Sequence, residues 1–124
     1  MSYSPYSNFK VEAALLTKNG KVYKGCNVEN AAYSPANCAE RTAIFKAVSD
    51  GERDFVAIAI VGGSADNDEL TICPPCGVCR QVINEFADYE EFDIVLGTEN
   101  PEDMKVLKLK ELLPLGFGPG DLSK

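Results

Sequence analysis

A cysteine-rich turn in the second half of the chain constrains the fold more than any other feature. Residues 73–79 read CPPCGVC, and two thiols separated by two residues, such as Cys76 and Cys79, can bind one metal ion from a single turn. That turn cannot complete the coordination of a metal by itself. The fold must therefore bring a distant segment to it, and the candidate is residues 37–41, which contain Cys38.

Cys38 is the predicted third ligand because Glu40 follows it two residues later. Three thiolates and one water form the open tetrahedral site of a catalytic zinc, whereas a structural zinc has four protein ligands. Hydrolytic chemistry also needs a group that carries protons, and Glu40 can provide it. Both ligand groups lie at the start of a predicted helix, where thiolate is favoured over thiol, and Arg41 adds positive charge beside them.

The charge and the residue types of the chain exclude several classes of protein. The chain has no histidine, which excludes Ser-His-Asp and Cys-His nucleophiles, so an acid or base must be a carboxylate, Lys, Tyr or Cys. Nineteen acidic and twelve basic residues give a net charge of -7, and without a basic cluster this disfavours nucleic acid as a partner. A small neutral substrate remains compatible.

The cysteines and the apolar runs bear on the compartment. Five clustered cysteines, an odd number, are not typical of a disulfide framework, and the start of the chain has no signal-peptide pattern. No apolar run approaches the roughly 18 to 20 residues that cross a bilayer. We therefore expect a cytoplasmic protein without membrane contact.

Apolar periodicity predicts one α/β domain over residues 1–124, with a mixed five-stranded sheet flanked by helices. The predicted strands are 9–17, 22–28, 55–61, 92–96 and 104–109, and the predicted helices are 38–49 and 77–86, with one further helical turn at 110–113.

Four local expectations accompany this pattern. Asn19-Gly20 predicts a hairpin. The nearly unbroken apolar runs in 9–17 and 55–61 indicate burial on both faces of the sheet. Asn37 or Ser34 is expected to cap the first helix. The glycine-rich tail is expected to be irregular.

Two motifs together resemble the signature of the cytidine deaminases in its three-cysteine form. They are Cys38-Ala39-Glu40 and, downstream, Pro75-Cys76-Gly77-Val78-Cys79. The likeness extends over nearly the whole chain, through residues 6–9, 27–30 and 112–114. It implies a three-layer α/β fold, zinc as cofactor, and hydrolysis of cytidine and deoxycytidine to the uridine products and ammonia, as in pyrimidine salvage.

The resemblance also implies a role for each motif residue. Cys38, Cys76 and Cys79 would bind zinc, and the water that the zinc activates would attack C4 of the pyrimidine. Glu40 would take a proton from that water, deliver it to N3, and later help to protonate the leaving ammonia.

The same resemblance implies how the substrate is bound. Phe9 would pack on the base, the backbone N–H of Ala39 would donate to the base carbonyl, and Asn27 and Glu29 would bind the ribose 3′-hydroxyl. The carboxylate of Glu29 would repel a nearby phosphate, so a nucleoside is favoured over a nucleotide.

Assembly is a further implication of the resemblance, because small three-cysteine members of the family are homotetramers. Ala31 and Tyr33 resemble residues that reach the active site of a neighbouring subunit, and Phe117 resembles one that covers a site near an interface. Two departures from the family pattern bear on stability. The helix that precedes Pro-Tyr-Ser in relatives is expected to be missing, and Glu12 stands where relatives commonly have glycine.

Other interpretations of the cysteines remain open. The spacing of Cys73, Cys76 and Cys79 also resembles part of an iron–sulfur ligand run, but the fourth cysteine with its following proline is missing. A redox Cys-x-x-Cys pair and a structural zinc that adds Cys73 to the three ligands are further alternatives. Cys26 and Cys73 otherwise fit small buried apolar positions. Among deaminases, a related aminonucleoside is the alternative substrate.

Overall fold

The centre of the fold is a mixed sheet of five strands. The structure is a computed structural model and describes residues 2–32, 36–64, 66, 70–98 and 100–122. The strands in chain order are β1 (Phe9–Thr17), β2 (Val22–Cys26), β3 (Phe55–Ser64), β4 (Asp93–Leu96) and β5 (Lys105–Lys108). Their order in the sheet is β2-β1-β3-β4-β5, in which β3 and β4 are parallel and all other neighbours are antiparallel. The predicted five-stranded mixed sheet is therefore confirmed.

The connections explain this topology. A parallel pair needs a long crossover, and helix α2 (Gly77–Phe86) provides it between β3 and β4. β1 and β2 form the hairpin predicted at Asn19-Gly20. Gly20 closes its turn at a φ of +91°, and the N–H of Gly20 donates to the carbonyl of Thr17 at 3.1 Å. A positive φ is readily adopted only by glycine, which accounts for its place there.

One face of the sheet carries the hydrophobic core, and both long helices pack on it. Alternate residues of a strand point to the same face, and here they meet apolar residues of α1 (Ala39–Ser49) and of α2. The strands contribute Ala13, Leu15, Ile58, Ile60, Ile94 and Leu96, and the helices contribute Ala39, Ala43, Ile44, Ala47 and Ile83.

The contact between α1 and β2 is unusually close because small residues meet there. Ala39, Ala43 and Ala47 are fully buried, and backbone atoms of Ala39 and Ala43 lie against Gly25 at the edge of the sheet. A Cβ atom on Gly25 would lie 2.5 Å from the carbonyl oxygen of Ala39 and from the amide nitrogen of Ala43. The absence of a side chain at position 25 therefore sets the height at which the start of α1 rests on the sheet.

The opposite face of the sheet is exposed, so the expectation of burial on both faces is wrong for the described residues. Glu12, Leu16, Lys24, Ala59 and Val106 all have exposed side chains on this outer face. The apolar run of β3 misled because alanine and valine are common on a half-exposed strand as well as in a core. The charge of Glu12 stays in water, so it does not burden the core.

Several element ends differ from the sequence prediction. β3 continues to Ser64, three residues beyond the predicted end, and β2 stops at Cys26. Cys38 occupies the N-cap of α1 without a side-chain cap bond, so the expectation that Asn37 caps the helix is wrong. The side-chain amide of Asn37 instead donates to the Thr42 hydroxyl at 3.2 Å. The other predicted cap, Ser34, lies outside the described residues.

The tail is more regular than its glycines indicated. A helical turn α3 (Leu109–Leu112) begins one residue before the predicted turn, and a second turn α4 (Pro119–Leu122) was not predicted. Pro119 is the first residue of α4, a position that suits its fixed φ. The carboxylate of Asp121 accepts the N–H of Gly118 at 2.9 Å and thereby stabilises the start of the turn. Among the described residues, no helix has the length and hydropathy to span a bilayer.

The close packing at Gly25 generates a prediction about stability. We expect Gly25→Ala to lower the free energy of unfolding by about 1–3 kcal/mol or more, because the new methyl group meets backbone atoms that cannot rotate away. Gly120→Ala is the control, since a Cβ there meets no atom within 4 Å. Urea unfolding followed by circular dichroism measures both variants. Equal stability of the two variants would contradict the packing at Gly25.

The bond between Tyr23 and Asp50 predicts a change of stability with pH. The hydroxyl of Tyr23 donates to the Asp50 carboxylate, and this bond, followed by burial and by the charges of Asp50 and Glu52, raises the pKa of Tyr23 from 10.0 to about 12. The folded chain therefore keeps a proton that the unfolded chain releases above pH 10. This contribution to stability is complete below about pH 10 and is lost as the pH rises towards 12.

Stability curves of the wild type and Tyr23→Phe test this assignment. The difference between the two curves should shrink between pH 10 and 12, because the variant has no phenol to titrate. Parallel curves over that interval would show that Tyr23 is not the group responsible.

Candidate active site

Three thiols from two segments meet at the start of the two long helices. Cys38 is the N-cap residue of α1, Cys76 is the N-cap residue of α2, and Cys79 lies in the first turn of α2. The three Sγ atoms lie within 4.8 Å of one another. Cys38 and Cys76 are 3.8 Å apart and Cys76 and Cys79 are 3.4 Å apart, sulfur to sulfur. A tetrahedral ion with zinc–sulfur bonds of about 2.3 Å spaces its sulfurs by about 3.8 Å, so this donor set fits zinc.

Arg80 holds the turn that contains Cys76 in place, a role that the sequence alone did not indicate. Its Nε donates to the carbonyl of Pro75 at 2.8 Å, and its Nη1 donates to the carbonyl of Leu112 at 2.7 Å. The guanidinium therefore joins the cysteine turn to α3. A cation directly after the last cysteine is a signal in the sequence, but its two carbonyl partners become visible only in the folded chain.

The thiols of the cluster differ in their preference for the charged form. The pKa of Cys38 is lowered to about 5, because the thiol of Cys79 donates a hydrogen bond to its sulfur and Nη2 of Arg41 donates another at 3.3 Å. The pKa of Cys79 is raised by the same bond and by burial. Hydrogen bonds from a neighbouring thiol and from Arg41 therefore favour thiolate in this cluster, and thiolate is the form that binds metals.

Glu40 is a buried carboxyl group beside these thiols. It lies in the first turn of α1 with 4% of its surface exposed. Burial raises its pKa and the charge of Cys38 raises it further, whereas a hydrogen bond from the backbone N–H of Glu40 itself opposes the shift. A buried carboxyl group whose proton affinity is increased next to potential metal ligands is suited to general acid–base catalysis.

Cys73 lies near the cluster but is not one of its three members. The pKa of Cys73 is raised by burial first and then by the charges of Glu40 and Cys38, which places the thiol close to both groups. Its sulfur packs on β3, where a Cβ on Gly62 would meet it at 3.2 Å and would meet the ring of Phe9 at 3.0 Å. This geometry gives no support to a site that uses Cys73 as a fourth ligand.

Asn27 connects the end of β2 to the first strand. Its Oδ1 accepts the N–H of Val11 at 3.0 Å, and its Nδ2 donates to the carbonyl of Phe9 at 2.9 Å. The amide thus fixes the backbone that carries the half-buried ring of Phe9. One lone pair and one N–H of the amide remain for a substrate.

Glu29 lies against the segment that precedes β1. Its Oε1 accepts the N–H groups of Tyr6 at 2.9 Å and of Ser7 at 3.1 Å, and its Oε2 accepts the hydroxyl of Ser7. The hydrogen bonds from Ser7 lower the pKa of Glu29. A cavity of about 260 Å³ lies here, and it is lined by Tyr6, Ser7, Glu29, Asn30 and Ala36.

The remaining predicted residues are placed as follows. Ala39 is fully buried as the first residue of α1, and Ala31 is exposed in a turn. Tyr33 lies outside the described residues. Phe117 is 58% exposed, and its carbonyl accepts the side-chain amides of Gln81 at 2.6 Å and Asn84 at 3.1 Å, which join the tail to α2.

The match of the sequence to a known family agrees with this geometry. Residues 1–94 match the family described as cytidine and deoxycytidylate deaminase zinc-binding region. This match identifies the chain as a zinc-binding deaminase domain. The three clustered thiols, the buried glutamate and the mixed five-stranded sheet agree with that class.

Similar proteins specify the family further. The chain is 50% identical to a cytidine deaminase of Sporosarcina psychrophila, over 98% of this chain and 85% of that protein. It is 47% identical to a cytidine deaminase of Halalkalibacterium halodurans, over 98% of this chain and 87% of that protein. The chain belongs to the cytidine deaminase family.

A solved structure of similar sequence identity confirms the fold. The crystal structure of a cytidine deaminase from Burkholderia pseudomallei has 48% sequence identity and a TM-score of 0.81. The matched region covers 94% of this chain and 87% of that chain. The cytidine deaminase fold expected from the resemblance is therefore confirmed, although the long helices of the described residues cover one face of the sheet and leave the other face exposed.

The composition of the thiol cluster predicts which variants lose zinc. We expect Cys38→Ser, and likewise Cys76→Ser and Cys79→Ser, to lower the zinc content of the purified protein well below one equivalent, because a hydroxyl is a poor zinc ligand compared with thiolate. Cys73→Ser is the matched control and should keep one equivalent. Elemental analysis gives both values. Loss of zinc from Cys73→Ser with retention in Cys38→Ser would favour a structural site instead.

Proposed function

We propose that the protein catalyses the hydrolytic deamination of cytidine and deoxycytidine to uridine and deoxyuridine, with release of ammonia. The observation that carries this proposal is a buried glutamate, Glu40, beside three thiols that fit one zinc ion. The names of the similar proteins support the choice of substrate. The absence of a basic cluster and the net charge of -7 favour a neutral nucleoside over a nucleic acid.

Cys38, Cys76 and Cys79 would hold the zinc ion. When bound, zinc would make a water molecule a stronger acid and nucleophile near neutral pH. Three thiolates are a strongly anionic ligand set. Arg41 offsets part of this charge through its hydrogen bond to Cys38, and the N-termini of α1 and α2 add positive partial charge.

Glu40 would move the protons of the reaction. It would take one proton from the attacking water and deliver it to N3 of the pyrimidine ring. It would then pass the second proton of that water, which is left on the C4 hydroxyl, to the departing amino group. The oxygen of the water becomes the C4 carbonyl oxygen, the bond between C4 and the amino nitrogen breaks, and ammonia leaves. Burial of Glu40 favours its protonated form, so it can hold the proton between these two transfers.

The substrate contacts are proposed from the same arrangement. The half-buried ring of Phe9 offers a flat apolar surface for the base, and the backbone N–H of Ala39 would donate to the base carbonyl. Asn27 and Glu29 would bind the 3′-hydroxyl of the sugar. The lowered pKa of Glu29 keeps it an anion, which accepts hydroxyl hydrogen bonds and repels a phosphate.

We further propose a cytoplasmic homotetramer that acts in pyrimidine salvage. The cysteines of the described residues are free thiols, which fits a reducing compartment. Leu115 is fully exposed and Phe117 is 58% exposed, so the tail offers apolar surface to a neighbouring subunit. Ala31 lies in an exposed turn, and with Tyr33 it would contribute to the site of that neighbour.

The role of Glu40 is tested by an isosteric variant. We expect Glu40→Gln to keep one equivalent of zinc and to lower kcat for cytidine by about 10²–10⁴-fold, because the amide cannot carry the proton. Loss of absorbance by cytidine and metal analysis on the same sample give both values. Glu12→Gln is the control, since Glu12 is exposed on the outer face of the sheet. Normal turnover by Glu40→Gln would remove this residue from the mechanism.

A further inference from the structure

We propose that Ser7 is a positioning residue that joins the base-binding Phe9 to the sugar-binding Glu29 and orients the carboxylate oxygen that receives the 3′-hydroxyl of the substrate. The proposal rests on the proposed function, because it assumes that Glu29 meets the sugar.

The hydroxyl of Ser7 bonds to both substrate-binding residues at once. It donates to Oε2 of Glu29 and accepts the backbone N–H of Phe9 at 3.1 Å. The directions are fixed by chemistry, since an ionised carboxylate can only accept and an amide N–H can only donate. A serine hydroxyl has one proton and two lone pairs, so it serves both partners without conflict.

The hydrogen-bond capacity of Glu29 shows which oxygen is available to a substrate. Oε1 already accepts two backbone N–H groups, those of Tyr6 and Ser7, and these use both of its lone-pair sites. Oε2 accepts only the Ser7 hydroxyl among the bonds of the described residues, so it keeps one site. The sugar hydroxyl would therefore bind Oε2, next to the proton of Ser7.

The same hydroxyl also accepts a hydrogen bond from the backbone at Phe9, but other hydrogen bonds hold this segment as well. The carbonyl of Phe9 is held by Asn27, and its N–H is held by Ser7. The preceding residue, Asn8, has a φ of +57°, and its N–H closes a turn onto the carbonyl of Ser4 at 3.0 Å. Ser7 thus links the turn, the ring that faces the base and the carboxylate that faces the sugar.

Removal of the Ser7 hydroxyl should have little effect on the fold. Ser7 and Tyr6 are exposed, and the two backbone bonds to Oε1 remain when the hydroxyl is removed. The effect of its loss should therefore appear in binding of the sugar hydroxyl rather than in folding. That distinction can be measured with substrates that differ only in the sugar.

The experiment compares Ser7→Ala and Ser7→Thr with the wild type on two substrates. Deoxycytidine has the 3′-hydroxyl, and 2′,3′-dideoxycytidine lacks it. For Ser7→Ala we expect KM for deoxycytidine to rise about tenfold with kcat changed little. This is the effect of losing one hydrogen bond, the one between the 3′-hydroxyl of the substrate and the charged Glu29. KM for dideoxycytidine should stay within about twofold of the wild type, because that substrate does not use Oε2. Ser7→Thr keeps a hydroxyl and should behave as the wild type.

Three results would overturn the proposal. They are an equal rise of KM for both substrates in Ser7→Ala, no change for either, or a thermal midpoint for Ser7→Ala that falls by more than about 4 °C. Each would show that the hydroxyl acts on the fold or on nothing, and not on the sugar.

Glu29→Gln separates this failure from a failure of the proposed function. If Glu29→Gln selectively weakens binding of deoxycytidine while Ser7→Ala does not, the sugar role of Glu29 stands and the role of Ser7 is refuted. If Glu29→Gln affects both substrates equally, the sugar site is elsewhere and the role of Ser7 fails with it. A wild-type protein that does not deaminate deoxycytidine refutes the proposed function itself.

Discussion

The candidate site depends on two helices that begin at the same region of one sheet face. The start of α1 can rest there only because Gly25 has no side chain and three alanines of α1 lie against the sheet. α2 reaches the same region as the crossover between the two parallel strands. The first residues of both helices carry the thiols, so the packing of apolar residues determines a distance between sulfur atoms. A shift of α1 by the width of one methyl group would move Cys38 away from Cys76.

Much of this could be predicted from the sequence, because local signals were strong where the site is built. The bounds of β1 and α2 agree with the prediction, since an apolar run bounded by an Asn-Gly turn and a helical stripe after a cysteine turn are both local patterns. The convergence of Cys38 with Cys76 and Cys79 was also predicted, from the chemical requirement for a third ligand near a proton carrier. The chemical requirement of the site therefore predicted a contact between distant segments that no local sequence pattern indicates.

Features that depend on distant partners could not be predicted. The exposure of the outer face depends on the face of the sheet on which the helices pack. The apolar residues of β3 are compatible with a covered face and with an exposed one. The short helix α4 depends on one carboxylate that accepts a nearby N–H. Arg80 and Ser7 resemble ordinary polar residues until their partners are known. The partners of Arg80 are carbonyls of the cysteine turn and of α3, and the partner of Ser7 is a carboxylate 22 positions away.

The ligand spacing along the chain has a consequence for folding. A zinc ion shared by Cys38 and Cys76, which are 38 positions apart, would act as a reversible cross-link that closes a loop containing all of α1 and β3. In the chain-entropy description of cross-links, a closure of that size restricts the disordered chain by about 4 kcal/mol. A chelator that removes zinc would thus lower the stability of the fold as well as abolish catalysis. Metal supply in the cell would then govern how long each copy of the enzyme survives.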